Sequence, residues 1–415
     1  MKYKRIIDNT WNYTDSDTKI FTHCYHSYPA MMIPQVAERL ITEFATKKTK
    51  LIFDPYCGSG TSLVEAKIAG INSVGTDINP LAGLISKAKT LNLSVKRIDE
   101  LRKFLIVRLE KYNGTEKVEV PEMSNLEFWF SDSITHKLGF LKKIIFEIEN
   151  ENERCFFLIP FTETVREASY TRNSEFKLYR IQKEKLKDFK VEPFLLFNKK
   201  VERNLKGLKA FNKEIGRKKN NAGVFDFNTC IEIPHEILKE NSVDLIVTSP
   251  PYGDSHTTVA YGQFSTLSNE WLGIKEARKI DNKLMGGKKK ETHIELDVLS
   301  AIPELNEIRK IDEGRFFEVY SFLHDYYDSI KNISKVVKSK GYACYVVGNR
   351  TVKKTNIPFD QITAELFEHF GFDFKSIRVR KIPNKKMPSK NSPSNKVGDL
   401  VTTMNNEFIV VMQKQ

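Results

Sequence analysis

The sequence has no long hydrophobic run, which argues against a membrane protein. No stretch of its 415 residues approaches the roughly 18 consecutive apolar residues that a membrane-spanning helix needs. The N-terminal residues contain no apolar core of the kind found in secretory signal peptides. The five cysteines are odd in number and widely separated, which is typical of free thiols in a reducing compartment. We therefore expect a cytoplasmic protein with no membrane partner.

Acidic residues are scarce in two segments, and the positive charge is concentrated there. Residues 183–219 contain thirteen basic and five acidic side chains, and residues 375–396 contain eight basic side chains and no acidic one. The net charge is +8 in each segment and +13 in the whole chain, so the remainder is close to neutral. This distribution is typical of a face that binds a polyanion, although a solvated lysine-rich helix and tail would give the same pattern.

Histidine and cysteine are too sparse to predict a metal site. His23, Cys24 and His26 lie close together, but no second ligand cluster follows at a spacing typical of a zinc finger. We therefore predict no bound metal.

A glycine-rich turn near the N-terminus predicts a cofactor site. Residues 51–53 are a short apolar strand, residues 54–61 (DPYCGSGT) are the turn, and a helix follows. This order is typical of the first half of a doubly wound sheet, with a ligand at the carboxyl end of the strand. Gly58 and Gly60 allow a ligand to approach the backbone, and the helix that starts after Thr61 presents free N–H groups.

An acidic residue follows the next strand at a spacing that suits a nucleoside-bearing cofactor. The strand predicted over residues 72–77 ends on Asp77, seventeen residues after Gly60. A carboxylate at this place can accept hydrogen bonds from both ribose hydroxyls of such a cofactor. A glycine turn alone is weak support, but Asp54, the turn and Asp77 together favour cofactor binding.

The chain is organised around a buried strand that leads into a rigid proline loop. Residues 243–247 are apolar and rich in β-branched side chains, and Ser249, Pro250, Pro251 and Tyr252 follow shortly after. The prolines fix φ and lack N–H groups, so their carbonyls are free to accept hydrogen bonds from a ligand. The loop suits the recognition of an amino group, although strand ends also carry ordinary proline turns.

The remaining pattern predicts an α/β protein in three parts. Residues 1–90 combine a loosely packed arm with the cofactor-binding half, residues 91–224 form a basic and largely helical insertion, and residues 225–415 form the catalytic half. A second insertion is predicted near residues 255–315. Within the first insertion, residues 156–180 mix aromatic, hydroxyl and arginine side chains, as a segment that faces nucleic acid or the site would.

Two loops and a final pair of strands complete the prediction. Residues 286–290 (GGKKK) are predicted to form a mobile surface loop. Residues 372–379 and 407–412 are predicted strands that end the sheet as an antiparallel hairpin, and the Pro/Ser/Lys/Asn-rich residues 383–396 between them are predicted to be flexible.

The two loops together resemble the DNA amino-methyltransferases, which use S-adenosylmethionine and methylate cytosine N4 or adenine N6. The resemblance rests on DPYCGSGT at residues 54–61 and TSPPYG at residues 248–253, and HSYPAMMIP at residues 26–34 is similar to a further cofactor-contacting motif of the family. It implies a doubly wound, Rossmann-like methyltransferase sheet, S-adenosylmethionine as cofactor and double-stranded DNA as partner. Target recognition is expected in the insertions, which the resemblance does not cover.

The resemblance also implies roles for individual cofactor-binding residues. Gly58 and Gly60 would pass under the methionine part of the cofactor, Asp54 would face its amino group, and Asp77 would hold the ribose. The family usually has an acidic residue that binds the adenine amino group where this sequence has Asn228, and this departure leaves the adenine contact open. The whole implied set is Tyr28 and Pro29, which would close the pocket, with Asp54, Tyr56, Gly58, Gly60, Thr61, Asp77 and Asn228.

In the same family the proline tetrapeptide, here Ser249, Pro250, Pro251 and Tyr252, binds the target base. An exocyclic amine is a poor nucleophile because its lone pair is delocalised into the ring. If the Ser249 side chain and the Pro250 carbonyl accept bonds from the two N–H groups, the nitrogen can pyramidalise toward the methyl group. Tyr252 would stack on a base that has left the duplex, and basic residues of the 183–219 segment would hold phosphates.

Serine at the first tetrapeptide position resembles the cytosine N4 branch of the family, so we predict N4 methylation of cytosine, with adenine N6 as the alternative. DPYCGSGT also resembles the transfer-RNA guanine N2-methyltransferases, but those usually carry Asp-Pro-Pro-Tyr and an N-terminal RNA-binding domain. A non-enzymatic nucleic-acid-binding module is least favoured, because Ser249, Tyr252 and Asp77 are all present. The sequence does not give the recognition site, and it leaves open whether a cognate restriction endonuclease is a partner.

Overall fold

One eight-stranded sheet forms the centre of the protein. The computed structural model describes residues 2–173, 175–290, 298–382, 390–391, 401–402 and 405–415. The strands within these residues are β1 (Arg5–Ile7), β2 (Leu51–Asp54), β3 (Asn72–Thr76), β4 (Ala222–Phe225), β5 (Val243–Thr248), β6 (Val337–Val347), β7 (Arg350–Val352), β8 (Thr355–Ile357), β9 (Phe372–Lys381), β10 (Lys390–Asn391), β11 (Val401–Thr402) and β12 (Asn406–Lys414).

The sheet order confirms the predicted doubly wound fold with a terminal antiparallel hairpin. The order is β4-β3-β2-β5-β6-β12-β9-β1, while β7 pairs with β8 and β10 pairs with β11 in separate two-stranded ribbons. Strand β12 is antiparallel to both of its neighbours, β6 and β9. The other neighbouring pairs of the sheet are parallel.

Helices cover both faces of this sheet and form the insertion. They are α1 (Pro34–Phe44), α2 (Thr61–Ala69), α3 (Pro80–Thr90), α4 (Val95–Glu110), α5 (Leu126–Trp129), α6 (Asp132–Phe146), α7 (Glu151–Ala168), α8 (Pro193–Ile215), α9 (Tyr261–Trp271), α10 (Ile280–Lys283), α11 (Ile302–Ile311), α12 (Glu313–Val336) and α13 (Phe359–His369). Short 3₁₀ turns lie at Asn9–Trp11, Phe21–Tyr25, Lys183–Asp188 and Ala277–Lys279. None of the described helices is long and apolar enough to cross a membrane.

The two faces of the sheet bury separate apolar cores because side chains alternate along each strand. Ile52 and Leu245 contribute to the core under α1, whereas Phe53 and Ile246, the next residues along β2 and β5, contribute to the core under α12 and α13. All four side chains are fully buried. The carboxyl ends of β2 and β5 are therefore held in fixed positions next to each other.

The insertion between α3 and β4 is helical, as predicted, and contributes to a third apolar core. Helices α4 and α6–α8 pack around it through residues such as Leu101, Phe156 and Leu208. Strand β4 begins at Ala222, two residues before the predicted end of the insertion. The prediction that residues 156–180 face nucleic acid is wrong for their helical half, because Phe156 and its apolar neighbours in α7 are buried in this core.

The N-terminal residues are not the loosely packed arm that their polarity predicts. Residues Arg5–Ile7 pair in parallel with β9 and add the eighth strand to the sheet. Trp11 is fully buried, and the guanidinium groups of Arg39 and Arg378 lie 4.0 and 5.1 Å from its ring centroid. The Trp11 side chain therefore anchors this otherwise polar segment to the edge of the sheet. The predicted flexible residues 383–396 lie outside the described residues, apart from the short strand β10.

Candidate active site

A cleft opens where three adjacent parallel strands end. Strands β5, β2 and β3 are neighbours in the sheet, and Ser249, Asp54 and Asp77 lie at or just beyond their carboxyl ends. The cleft has a volume of about 1000 Å³ including its open mouth. Ten predicted site residues line it, namely Tyr28, Pro29, Asp54, Tyr56, Gly58, Thr61, Asp77, Asn228, Ser249 and Pro251. The fold thus brings both predicted loops to one site, where an α/β sheet usually binds its ligand.

The glycine turn is held in shape by Asp77, which follows β3, and by Ser86 of α3. The Gly58 N–H donates to Asp77 Oδ2 (3.0 Å), and Ser86 Oγ donates to the Gly58 carbonyl oxygen (2.7 Å). Gly60 has a φ of +77° and serves as the N-cap of α2. It is not among the lining residues of the cleft, so its role is to turn the chain into the helix against Ser86.

Two carboxylates, the buried Asp54 and the half-buried Asp77, lie at the base of the cleft. Asp54 accepts hydrogen bonds from Thr248 Oγ1 (2.6 Å) and from the Tyr56 N–H (3.2 Å). Burial raises the pKa of Asp54 to about 6, and it raises the pKa of Asp77 to about 6 as well, because the charged forms lose their water. No cationic side chain of the described chain offsets either charge. Such a site favours a ligand that brings positive charge and hydroxyl donors.

One wall of the cleft is aromatic. The rings of Tyr28 and Tyr261 stack with centroids 5.9 Å apart, and Asn79 Nδ2 donates to the Tyr28 hydroxyl (3.1 Å). Asn79 also caps α3, since its side chain accepts from the Leu81 N–H. The sequence analysis did not select Asn79 or Tyr261. An Asn before a Pro is a typical start of a helix and could have indicated Asn79.

Another wall of the cleft combines the turn after β4 with Tyr56. Phe227, Asn228 and Cys230 line this wall, and Asn228 Oδ1 accepts from the Cys230 N–H (2.9 Å). The Tyr56 hydroxyl lies 2.6 Å from Ser329 Oγ of α12. Phe227 was not predicted, although an aromatic residue directly before Asn228 was the available signal.

The proline loop enters the cleft through Ser249 and Pro251, while Pro250 and Tyr252 are not among the lining residues. Ser249 Oγ donates to the Val346 carbonyl oxygen of β6 (3.0 Å) and lies 3.1 Å from the Tyr252 hydroxyl. The Tyr252 hydroxyl in turn donates to Glu407 Oε1 (3.2 Å). The loop is therefore fastened to the neighbouring strands by side chains as well as by its prolines.

The predicted mobile loop at 286–290 is instead packed at its glycines. The Gly286 N–H donates to Asp325 Oδ2 of α12 (2.8 Å), and a Cβ on Gly286 would lie 2.9 Å from Phe322 Cβ. The preceding Leu284 and Met285 line the cleft. Their burial depends on contacts across the fold, so the local sequence carried no signal for it.

In the basic segment 183–219, some basic side chains form ion pairs within the protein and others are exposed to solvent. Lys200 forms ion pairs with Glu163 and Glu167, and Arg203 pairs with Glu163. The other lysines of α8 are exposed, namely Lys199, Lys206, Lys209 and Lys213. His23 of the sparse histidine cluster lies 2.7 Å from Glu65, and the described residues contain no group of side chains able to hold a metal ion.

The comparisons with known proteins agree with this geometry. A family model described as DNA methylase matches residues 2–87. The type II methyltransferase M.MvaI of Kocuria varians is 40% identical over 437 aligned positions, which cover 99% of this chain and 95% of the relative. The type II methyltransferase M.BsoBI of Geobacillus stearothermophilus is 24% identical over 62% of this chain and 53% of the relative. A tRNA (guanine(10)-N2)-dimethyltransferase of Methanocaldococcus jannaschii is 30% identical over 17% of this chain and 22% of the relative. The near-complete match to M.MvaI shows that the chain belongs to the S-adenosylmethionine-dependent DNA amino-methyltransferases.

Proposed function

We propose that the protein methylates the exocyclic N4 of cytosine at specific sites in double-stranded DNA. The observation that carries this proposal is the position of Ser249, which lines the cleft at the end of the strand next to that of Asp54. Serine at the first position of the tetrapeptide resembles the cytosine branch of the family. Methylation of adenine N6 is the alternative, and it uses the same site and the same mechanism.

The residues of the cleft suit S-adenosylmethionine. When bound, this cofactor supplies an electrophilic methyl group on a positively charged sulfur. We assign the Asp54 carboxylate to its amino group and Asp77 to the ribose hydroxyls. Gly58 leaves space for the chain of the ligand, because a Cβ there would meet no atom closer than 3.9 Å. The remaining cofactor contacts are assigned to Tyr28, Pro29, Tyr56, Thr61 and Asn228, which line the same cleft.

The proline loop supplies acceptors for the target amine. The Ser249 hydroxyl donates its hydrogen to Val346, so its lone pairs remain available to an amine N–H. The Pro250 carbonyl is assigned to the second N–H. Together these bonds favour a pyramidal nitrogen whose lone pair points at the methyl group, so catalysis rests on positioning and electrostatics.

The target base must leave the duplex, because its amine cannot reach the methyl group from inside the stack. Tyr252, which follows the lining residue Pro251, is assigned to stacking on the extruded base, and Leu284 and Met285 line the same cleft. The exposed lysines of α8 are assigned to DNA phosphates, which position the duplex without reading its sequence. The helical insertion and the segment after the proline loop are the proposed target-recognition parts.

The names of the relatives support DNA rather than RNA as the substrate. The match to M.MvaI extends over nearly the whole chain, whereas the match to the tRNA dimethyltransferase is restricted to 79 residues. M.MvaI is named a type II methyltransferase, so we also propose that a restriction endonuclease with the same recognition site accompanies this protein.

The test is to incubate the purified protein with labelled S-adenosylmethionine and unmethylated genomic DNA, with total RNA as a parallel substrate. Digestion to nucleosides and mass spectrometry should identify N4-methylcytosine in DNA only. N6-methyladenine would replace the base assignment, and label only in RNA would refute the DNA assignment. Ser249→Ala protein, prepared in parallel, controls for contaminating activities.

A further inference from the structure

A chain of hydrogen bonds connects the proline loop with the C-terminal hairpin of the sheet. It runs from Ser249 through the Tyr252 hydroxyl to Glu407 Oε1, and the other carboxylate oxygen of Glu407 accepts from Arg380 Nη1. Glu407 lies on β12 and Arg380 on β9, with side chains 17% and 4% exposed. Glu407 is not among the residues that line the cleft.

Arg380 holds the carboxylate in a fixed orientation. Its Nε donates to the Trp11 carbonyl oxygen (2.9 Å) and its Nη2 to the Asn12 carbonyl oxygen (3.3 Å). The guanidinium is therefore anchored at three points, and only Nη1 faces Glu407. Because a guanidinium group can only donate hydrogen bonds, residue 407 must present an oxygen atom to Arg380 Nη1.

Counting hydrogens then decides which way each bond points. The Tyr252 hydroxyl has one hydrogen and two neighbouring acceptors, Ser249 Oγ at 3.1 Å and Glu407 Oε1 at 3.2 Å. The carboxylate takes this hydrogen, because bonds to a charged acceptor are the stronger ones. The single hydrogen of the Ser249 hydroxyl has two acceptors within the protein, the Val346 carbonyl oxygen (3.0 Å) and the Tyr252 oxygen. This hydrogen therefore does not point at the target amine.

We propose that Glu407 is a positioning residue for methyl transfer. By taking the Tyr252 hydrogen, it keeps that hydrogen away from Ser249, so that the lone pairs of Ser249 stay available to the target amine. This inference rests on the proposed role of Ser249 as acceptor of the amine, and it holds for cytosine and adenine alike. Glu407 itself touches neither the base nor the cofactor.

Glu407→Gln is the informative substitution because it reverses one bond. Arg380 requires the oxygen of the new amide, so the NH₂ group must face Tyr252 and donate to its oxygen. The Tyr252 hydrogen then turns to Ser249 and occupies one of the two lone pairs of its oxygen, which leaves that oxygen a weaker and more narrowly directed acceptor for the amine. We expect kcat to fall about tenfold or more, with the Kd for S-adenosylmethionine unchanged.

A second substitution separates this effect from simple damage to the hairpin. Tyr252→Phe keeps the ring but removes the misdirected hydrogen, so adding it to Glu407→Gln should restore kcat to within about threefold of Tyr252→Phe alone. A merely structural role of the Glu407–Arg380 pair gives no such rescue. The matched control is Glu43→Gln, which removes the ion pair with Arg378 on the same strand β9 but has no contact with the loop.

The experiment measures single-turnover rates with saturating DNA and cofactor, cofactor affinity by calorimetry, and thermal unfolding for each full-length variant. A loss of kcat in Glu407→Gln but not in Glu43→Gln, reversed by Tyr252→Phe, supports the proposal. A Glu407→Gln rate equal to that of Glu43→Gln, or a loss that Tyr252→Phe leaves in place, overturns it. Wild-type turnover in Ser249→Ala would instead refute the proposed function of Ser249.

Discussion

Gly60→Ala should damage both stability and cofactor binding, whereas Gly70→Ala should affect stability only. The two glycines cap the same helix, α2, and have nearly the same backbone conformation, with φ values of +77° and +79°. Their surroundings differ. A Cβ on Gly60 would lie 2.8 Å from Ser86 Oγ and 2.9 Å from Ser86 Cα, whereas a Cβ on Gly70 would meet only the flexible side chain of Lys218 at 3.5 Å.

The magnitudes follow from these contacts. A left-handed conformation costs an alanine about 1–2 kcal/mol, and this cost applies at both positions. The contact with Ser86 adds about 1–3 kcal/mol at Gly60, because α3 must shift to admit the methyl group. Ser86 Oγ holds the Gly58 carbonyl, so this shift also moves the part of the turn that lines the cofactor cleft.

Urea unfolding and calorimetric titration with S-adenosylmethionine test both parts. We expect Gly70→Ala to lower the free energy of unfolding by about 1–2 kcal/mol with an unchanged Kd. Gly60→Ala should lose about 2–5 kcal/mol and bind the cofactor at least about tenfold more weakly. Equal effects of the two substitutions on Kd would refute the role assigned to Ser86.

Three further predictions concern the cleft. Ser249→Ala should lower single-turnover rate about a hundredfold while the Kd for the cofactor stays unchanged, because the hydroxyl acts on the base; a parallel loss of cofactor binding would contradict this. Asp77→Ala should do the opposite and weaken cofactor binding about tenfold, since the Gly58 and Asn79 N–H groups also lose their acceptor; calorimetry and rates at saturating cofactor distinguish the two. In the protein without ligand, burial raises the pKa of Asp54 to about 6. Below that pH the carboxyl group is protonated, and it must lose this proton before it can pair with a cationic ligand. Cofactor affinity should therefore be level above about pH 6 and fall below it; a Kd that does not change between pH 5 and pH 8 would show that Asp54 does not face the positive charge.

Much of the fold and both motif loops were predictable because they depend on local chemistry. Gly60 and Gly70 set the bounds of α2 through conformations that other residues adopt at a cost, and the prolines stiffen the loop after β5. The alternation of strands and helices predicted the doubly wound sheet, and the ends of adjacent parallel strands must meet at one edge. Asp54, Asp77 and Ser249 could therefore be placed at one site from the sequence.

Only the tertiary structure decided which other side chains complete that site. Met285 reaches the cleft because Gly286 packs on α12, and Glu407 reaches Tyr252 because β12 inserts between β6 and β9. Burial in the assembled core likewise enclosed the aromatic side chains of α7 and tied the N-terminal segment to the sheet through Trp11. The physical reason is the same in each case. A local pattern reports the preferences of a segment, whereas a contact between residues far apart in the chain exists only once the strands have taken their order.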